Sequence, residues 1–116
     1  MNGITFTAND DGTITVNGTA SAMAYAYFIS PQSNPFYLGE GTYTLTGCPE
    51  GGGSNTYRLT VAYRTTGASS NTGLAHDYGN GRTVVVSSEV AEYPMGMYIR
   101  IESGQTVNNL VFKPMF

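Results

Sequence analysis

Short runs of alternating apolar and polar residues, separated by turn residues, make up most of this chain. A period of two is the pattern of a β-strand with one buried face. The β-branched and aromatic side chains that fill these runs fit a pleated, half-buried surface. Strands are therefore predicted over residues 4–7, 13–16, 19–29, 41–47, 57–64, 82–86, 96–102 and 108–115.

Two of these segments need a further argument. Residues 4–17 contain an Asn-Asp-Asp-Gly turn at 9–12 and are predicted to form a hairpin. Residues 19–29 could also form a helix, but alanines alternate strictly with larger residues, which favours a strand. The larger residues are expected to share one face of that strand: Met23, Tyr25, Tyr27 and Ile29. Tyrosines on the apolar parity of the strands are expected in the core: Tyr25, Tyr27, Tyr43, Tyr57 and Tyr63.

About eight short strands without a substantial helix predict an all-β antiparallel sandwich or jelly roll. With 116 residues, the chain is predicted to be one domain, 1–116, which can bury a core without metal or disulfide support. We expect it to be excised from a longer protein, because strand-like sequence begins at once and the chain stops at the end of an apolar run.

Charge and composition narrow the range of functions. Only 11% of residues are charged, and the net charge is −3, which gives no basic field for nucleic acid. No run of 18 apolar residues occurs, so membrane insertion is not expected. The single cysteine, Cys48, excludes a disulfide framework and a multi-cysteine zinc site. No cofactor is expected.

Candidate catalytic and metal-binding groups are few. Cys48 and His76 lie 28 positions apart without a supporting motif, and most of the glutamates fall in predicted turns or at strand ends. We therefore expect no enzymatic activity. Asp10 and Asp11 offer the oxygen ligands that calcium prefers, but a hairpin turn already explains both residues, and no metal site is predicted.

Two groups of residues are candidates for ligand binding. Arg58 and Arg64 on one strand, and Tyr98 and Arg100 on another, lie opposite the apolar stripes of their strands. A solvated face with an ion pair from Arg100 or Arg64 to Glu102 is the alternative interpretation. The second group lies in the segment 76–82, which is predicted to form a loop on the rigid sandwich. Its candidate residues are His76, Asp77, Tyr78, Asn80 and Arg82.

Several segments together resemble a module of phage tail and minor structural proteins. They are 3–19 (GITFTANDDGTITVNGT), 39–49 (GEGTYTLTGCP), 57–59 (YRL), 77–81 (DYGNG) and 98–115 (YIRIESGQTVNNLVFKPM). The last segment is also similar to the closing strands of galactose-binding-like jelly rolls, the scaffold of many carbohydrate-binding modules. The resemblance implies a non-catalytic β-sandwich carried on a virion, in contact with other virion proteins and facing the host surface.

A binding function follows as the leading expectation. Aromatic rings stack on the apolar faces of sugars, and planar polar side chains bond their hydroxyl groups. The chain is thus expected to bind bacterial surface glycan during host adhesion. A purely structural virion domain, such as a tail spacer or capsid decoration, is one alternative. An accessory carbohydrate-binding domain of a secreted bacterial protein is another.

Overall fold

Nine β-strands and one turn of 3-10 helix make up the chain, which a computed structural model describes over all of residues 1–116. The all-β prediction without a substantial helix is confirmed. There are nine strands rather than about eight, because residues 72–77, which lie outside the predicted strands, form β6. The strands are β1 (Ile4–Ala8), β2 (Ile14–Thr19), β3 (Ala24–Ile29), β4 (Gly41–Leu45), β5 (Tyr57–Tyr63), β6 (Thr72–Asp77), β7 (Arg82–Val86), β8 (Met95–Ile101) and β9 (Thr106–Phe112), and the 3-10 helix is Val90–Glu92.

The strands form two antiparallel layers. One layer is a four-stranded sheet in the order β3-β8-β5-β6. The other contains the three-stranded sheet β1-β2-β9 and the pair β4-β7. Thr46 and Met115 join these two parts by reciprocal backbone hydrogen bonds of 2.9 Å each. The antiparallel sandwich is confirmed, whereas the galactose-binding-like jelly-roll topology stays a prediction.

A single apolar core fills the space between the layers. β5 and β8 contribute Leu59, Val61, Ile99 and Ile101 from the four-stranded sheet, all fully buried. Residues from the opposite layer complete the core, among them Ile4, Val16, Leu45, Val84, Val86 and Phe112. Tyr43, Tyr57 and Tyr63 pack against it, as their strand parity predicts.

The side of β3 that faces the core is the opposite of the predicted one. Ala24 is fully buried, whereas Tyr25 is 41% exposed and lies on the outer side of the sheet. The core assignment of Tyr25 and its neighbour on that side, Tyr27, is therefore wrong. The small alanine fits against Ile101 inside, while a tyrosine on the outer side keeps its hydroxyl near water. A bulge after Tyr27 returns Ile29 to the inner parity, opposite Met97.

Two sites in the layer formed by β1-β2-β9 and β4-β7 depend on local chemistry. At the β1–β2 turn, Asp11 accepts hydrogen bonds from the backbone N–H and the hydroxyl of Thr13. This confirms the predicted hairpin. Where β4 passes the end of β9, Gly47 has φ +121°, and a Cβ there would lie 2.0 Å from the carbonyl oxygen of Lys113. The backbone approach therefore requires glycine at this position.

Candidate functional site

The outer face of the four-stranded sheet gathers most of the candidate side chains. Cross-strand register places Arg58 beside Arg100 and Thr60 beside Tyr98 on β5 and β8. On the far side of β8, Tyr25 lies beside Arg100 and Tyr27 beside Tyr98. β5 and β8 thus share a sheet, and its outer face carries the arginines and the tyrosine that the sequence places opposite the apolar stripes.

An open groove of about 590 Å³ crosses this face. Its floor is formed by tyrosine rings from β3 and β8, and its walls are formed by the loops that follow β3 and precede β6. No acidic side chain contributes to its lining. The lining residues are Met23, Tyr25, Tyr27, Ser30, Gln32, Arg64, Ser69, Ser70, Asn71, Tyr98 and Arg100.

Three tyrosines form a continuous aromatic surface in the groove. The ring centroids of Tyr27 and Tyr98 are 4.8 Å apart, and Tyr25 lies 6.1 Å from Tyr27 and 6.5 Å from Tyr98. Tyr25 meets both neighbours edge to face, the arrangement that the ring quadrupoles favour. Burial raises the pKa of the Tyr27 hydroxyl above its usual 10. The cluster offers apolar faces and hydroxyl groups side by side.

Arg100 and Arg58 share one acidic partner at the end of the groove. Arg100 donates to both carboxylate oxygens of Glu102, at 2.6 and 3.2 Å. Arg58 reaches the same carboxylate only at 3.8 Å, and its buried Nε has no hydrogen-bond partner. The predicted pair from Arg100 to Glu102 is confirmed, while Arg58 rather than Arg64 is the second guanidinium beside that carboxylate.

Arg64 lies at the side of the groove and has no acidic partner. Its Nη1 donates to the side-chain oxygen of Asn71 at 3.1 Å, and its Nη2 donates to the carbonyl oxygen of Ala68 at 2.5 Å. These bonds fix the loop 65–71 against the end of β5. A guanidinium has five N–H donors, so Arg64 retains donors for a ligand while bracing the loop.

His76 continues the outer face beyond the groove. Its Nδ1 lies 2.8 Å from the hydroxyl of Thr60, and its ring lies 6.1 Å from that of Tyr78. Burial, together with the charges of Arg58, Arg82 and Arg100, lowers the pKa of His76 below its usual 6.5. The imidazole is therefore neutral at physiological pH and can accept or donate one hydrogen bond.

The segment 76–82 is not one loop. His76 and Asp77 end β6, residues 78–81 turn, and Arg82 begins β7. Asp77 points into the interior and is fully buried. Its carboxylate accepts hydrogen bonds from the backbone N–H groups of Cys48, Gly79 and Gly81, at 3.0, 2.9 and 2.8 Å. Asp77 therefore does not join the outer face, and instead anchors the turn.

Asn80 and Arg82 are exposed on the turn and at the start of β7, outside the groove. Of the nine predicted binding residues, the groove thus includes Arg64, Tyr98 and Arg100, with Arg58 and His76 beside them on the same face.

Cys48 and His76 do not form a pair. His76 faces outward, whereas Cys48 is buried, and burial raises the pKa of its thiol to about 12. No three His, Cys, Asp or Glu side chains lie close enough together to hold a metal ion. Asp11, one of the two weak calcium candidates, uses Oδ1 for Thr13. No helix is long and apolar enough to cross a membrane.

The sequence does not predict most of the groove. Its pattern places Tyr25 and Tyr27 in the core, and it gives no role to the polar loop residues Gln32, Ser69 and Asn71. The signal in the sequence for an outward-facing row was the strict alternation of tyrosine with alanine along β3. Tyrosine is the more polar of the two residues and is therefore the one expected to face solvent. Only the pairing of β3 with β8 shows that Tyr25 and Tyr27 lie on the outer face beside Tyr98.

Comparison of the chain with protein-family models, with curated proteins and with solved structures finds no match in any of the three. The resemblance to tail-protein modules stays a prediction.

Proposed function

We propose that this chain is a non-catalytic carbohydrate-binding module that recognises bacterial cell-surface glycan through the groove on its four-stranded sheet. The observation that carries the proposal is the cluster of Tyr25, Tyr27 and Tyr98 in an open groove with polar walls. Sugar rings present apolar C–H faces and hydroxyl edges, and this surface offers aromatic faces beside amide, hydroxyl and guanidinium groups.

The tyrosines on the groove floor are held by paired strands, so a ligand can bind them with little loss of side-chain conformational entropy. Tyr98 is on a central strand, and Tyr25 and Tyr27 pair with it through β3. Side chains held by a sheet lose little freedom when a ligand binds. A shallow groove still gives weak affinity at one site, so useful adhesion depends on several copies acting together. A phage tail or another virion surface, as the sequence resemblance implies, would supply such copies.

The direct test is binding of the purified chain to a panel of bacterial cell-wall polysaccharides, first as a monomer and then multimerised on a scaffold. Tyr98→Ala and Tyr25→Ala should each weaken binding by about fivefold, since loss of a stacked aromatic contact costs on the order of 1 kcal/mol. Tyr37→Ala is the matched control, because Tyr37 is 61% exposed and lies outside the groove. Absence of binding by the multimerised chain would contradict the proposal.

A structural virion domain is the second candidate, favoured by a different observation. Exposed apolar side chains lie on the opposite layer and near the C-terminal residue, namely Val85, Val111, Met115 and Phe116. A small apolar hollow of about 220 Å³ lies beside the last two. Such side chains suit self-association or docking in an assembly. Sedimentation equilibrium of the wild type and of Val111→Lys would detect it, with the variant shifted towards monomer.

A further inference from the structure

We infer that the groove takes a sugar residue that carries a negative charge, as a carboxylate or a phosphate ester. This inference rests on the proposed carbohydrate function and names the class of ligand for the same groove. The basic residues are concentrated on one face, although the chain as a whole has a net negative charge.

The chain has only five basic residues against eight acidic ones. Three of the five, Arg58, Arg64 and Arg100, lie together on the outer face of the four-stranded sheet. Glu102 is the one acidic partner that any of them meets within 4.0 Å. No acidic side chain lines the groove itself. An acidic protein therefore carries a local excess of positive charge at its candidate binding surface.

The excess charge is also incompletely satisfied within the chain. The carboxylate of Glu102 is engaged by Arg100 in a two-point contact, which leaves Arg58 at 3.8 Å with an unpartnered Nε. Arg64 meets only the neutral oxygens of Asn71 and Ala68. Guanidinium groups bind carboxylates and phosphates with paired N–H donors, and their contacts to anions are stronger than those to neutral oxygens.

The position of Arg64 supplies the geometry for a charged sugar. It lines the same groove as the Tyr25, Tyr27 and Tyr98 cluster, so an anionic substituent on a stacked ring would lie within reach of its remaining donors. Arg100 also lines the groove, two residues after Tyr98 on β8. Its Nη1 has no hydrogen-bond partner within the chain. A neutral sugar would leave Arg64, which has no acidic partner in the chain, without a counter-ion.

The test compares probes that differ only in charge. Oligomers of galacturonic acid and of glucuronic acid are paired with their fully methyl-esterified forms, and a phosphorylated mannan is paired with the same mannan after dephosphorylation. Affinity for the wild-type chain is measured by titration calorimetry at low and at raised salt. Poly-glutamate serves as a polyanion without a sugar ring.

We expect the charged member of at least one pair to bind about tenfold more tightly than its neutral partner, a difference of about 1.4 kcal/mol. Raised salt should reduce this preference. Arg64→Gln should weaken binding of the charged probe more than that of the neutral one, so that the preference collapses. Lys113→Gln is the matched control, since Lys113 is exposed and lies in the other layer. A loosened loop alone would weaken both probes equally.

The outcomes separate this inference from the function on which it rests. Preference for a uronic acid identifies a carboxylate ligand, and preference for the phosphorylated mannan identifies a phosphate ligand. Equal binding of charged and neutral probes overturns the inference while carbohydrate binding stands. Equal binding of poly-glutamate overturns it as well, because charge alone would then explain the affinity. No binding by any probe or by the cell-wall panel overturns the proposed function itself.

Discussion

The buried carboxylate of Asp77 offers a sharp test of what holds the fold together. Asp77→Asn keeps the size of the side chain but leaves one oxygen where the wild type has two. That oxygen can still accept from Gly79 and Gly81, while the new amide would oppose the N–H of Cys48. One hydrogen bond is lost, and the other two lose their charge assistance.

The magnitude follows from these three contacts. A hydrogen bond to a charged group contributes about 1.5–3 kcal/mol, and one between neutral groups contributes about 0.5–1.5 kcal/mol. The substitution therefore removes roughly 4 kcal/mol of favourable interaction. Relief from burying a carboxylate that has no ion-pair partner offsets part of this loss. We expect the free energy of unfolding to fall by about 2–3 kcal/mol, and Tm to fall by roughly 10 °C.

The assay is urea unfolding followed by circular dichroism, with Asp10→Asn as the control because Asp10 is exposed on the β1–β2 turn. The control should lie within about 0.5 kcal/mol of the wild type. If Asp77→Asn is as stable as the wild type, the three backbone hydrogen bonds do not outweigh the cost of burying the charge, and the reasoning fails.

Three further predictions concern single positions. Gly47→Ala should destabilise the chain by more than about 2 kcal/mol in the same assay, because its Cβ would meet the carbonyl of Lys113. Gly104→Ala has open space around it and should cost only about 1 kcal/mol, for its positive φ. The pKa of His76 is lowered in the folded chain, so as pH falls the unfolded chain takes up the proton at a higher pH than the folded chain does. The free energy of unfolding therefore decreases as pH falls below 6.5, and His76→Gln should show a smaller decrease between neutral pH and about pH 5. The Cys48 thiol, with its pKa raised to about 12, should resist alkylation at about pH 8 in the folded chain and react only after unfolding, as measured by mass spectrometry.

The fold was largely predictable because its central strands carry a strong signal. β5 and β8 alternate apolar core residues such as Leu59 and Ile99 with polar ones such as Arg58 and Arg100. A period of two then determines both the strand and its buried face. β6 gave no such signal, because its glycine and the bulge opposite Val61 and Ala62 interrupt the alternation. Pairing with β5, which is distant in sequence, makes it a strand.

The groove was predictable only on the side formed by β5 and β8. On β3 both alternating residue types, alanine and tyrosine, are compatible with a core, so hydrophobicity alone could not orient the strand. The pairing of β3 with β8 decides the question, since it buries Ala24 opposite Ile101 and leaves Tyr25 exposed. Asp77 was misplaced for a different reason. A carboxylate in a glycine-rich segment suggests a ligand, yet here its partners are backbone N–H groups, two from its own turn and one from Cys48.

The pairing of β2 with β9 has a consequence for the order in which the molecule folds. Ile14 lies opposite Phe112, so strands near the two ends of the chain are neighbours in one sheet. Contacts between such distant segments form slowly, because a long loop must close before they contribute. On the ribosome, the β1–β2 hairpin can form early, but its layer stays open until β9 has emerged. Until then β2 has an unpaired edge on the side that β9 will occupy, and such an edge exposes the nascent chain to aggregation.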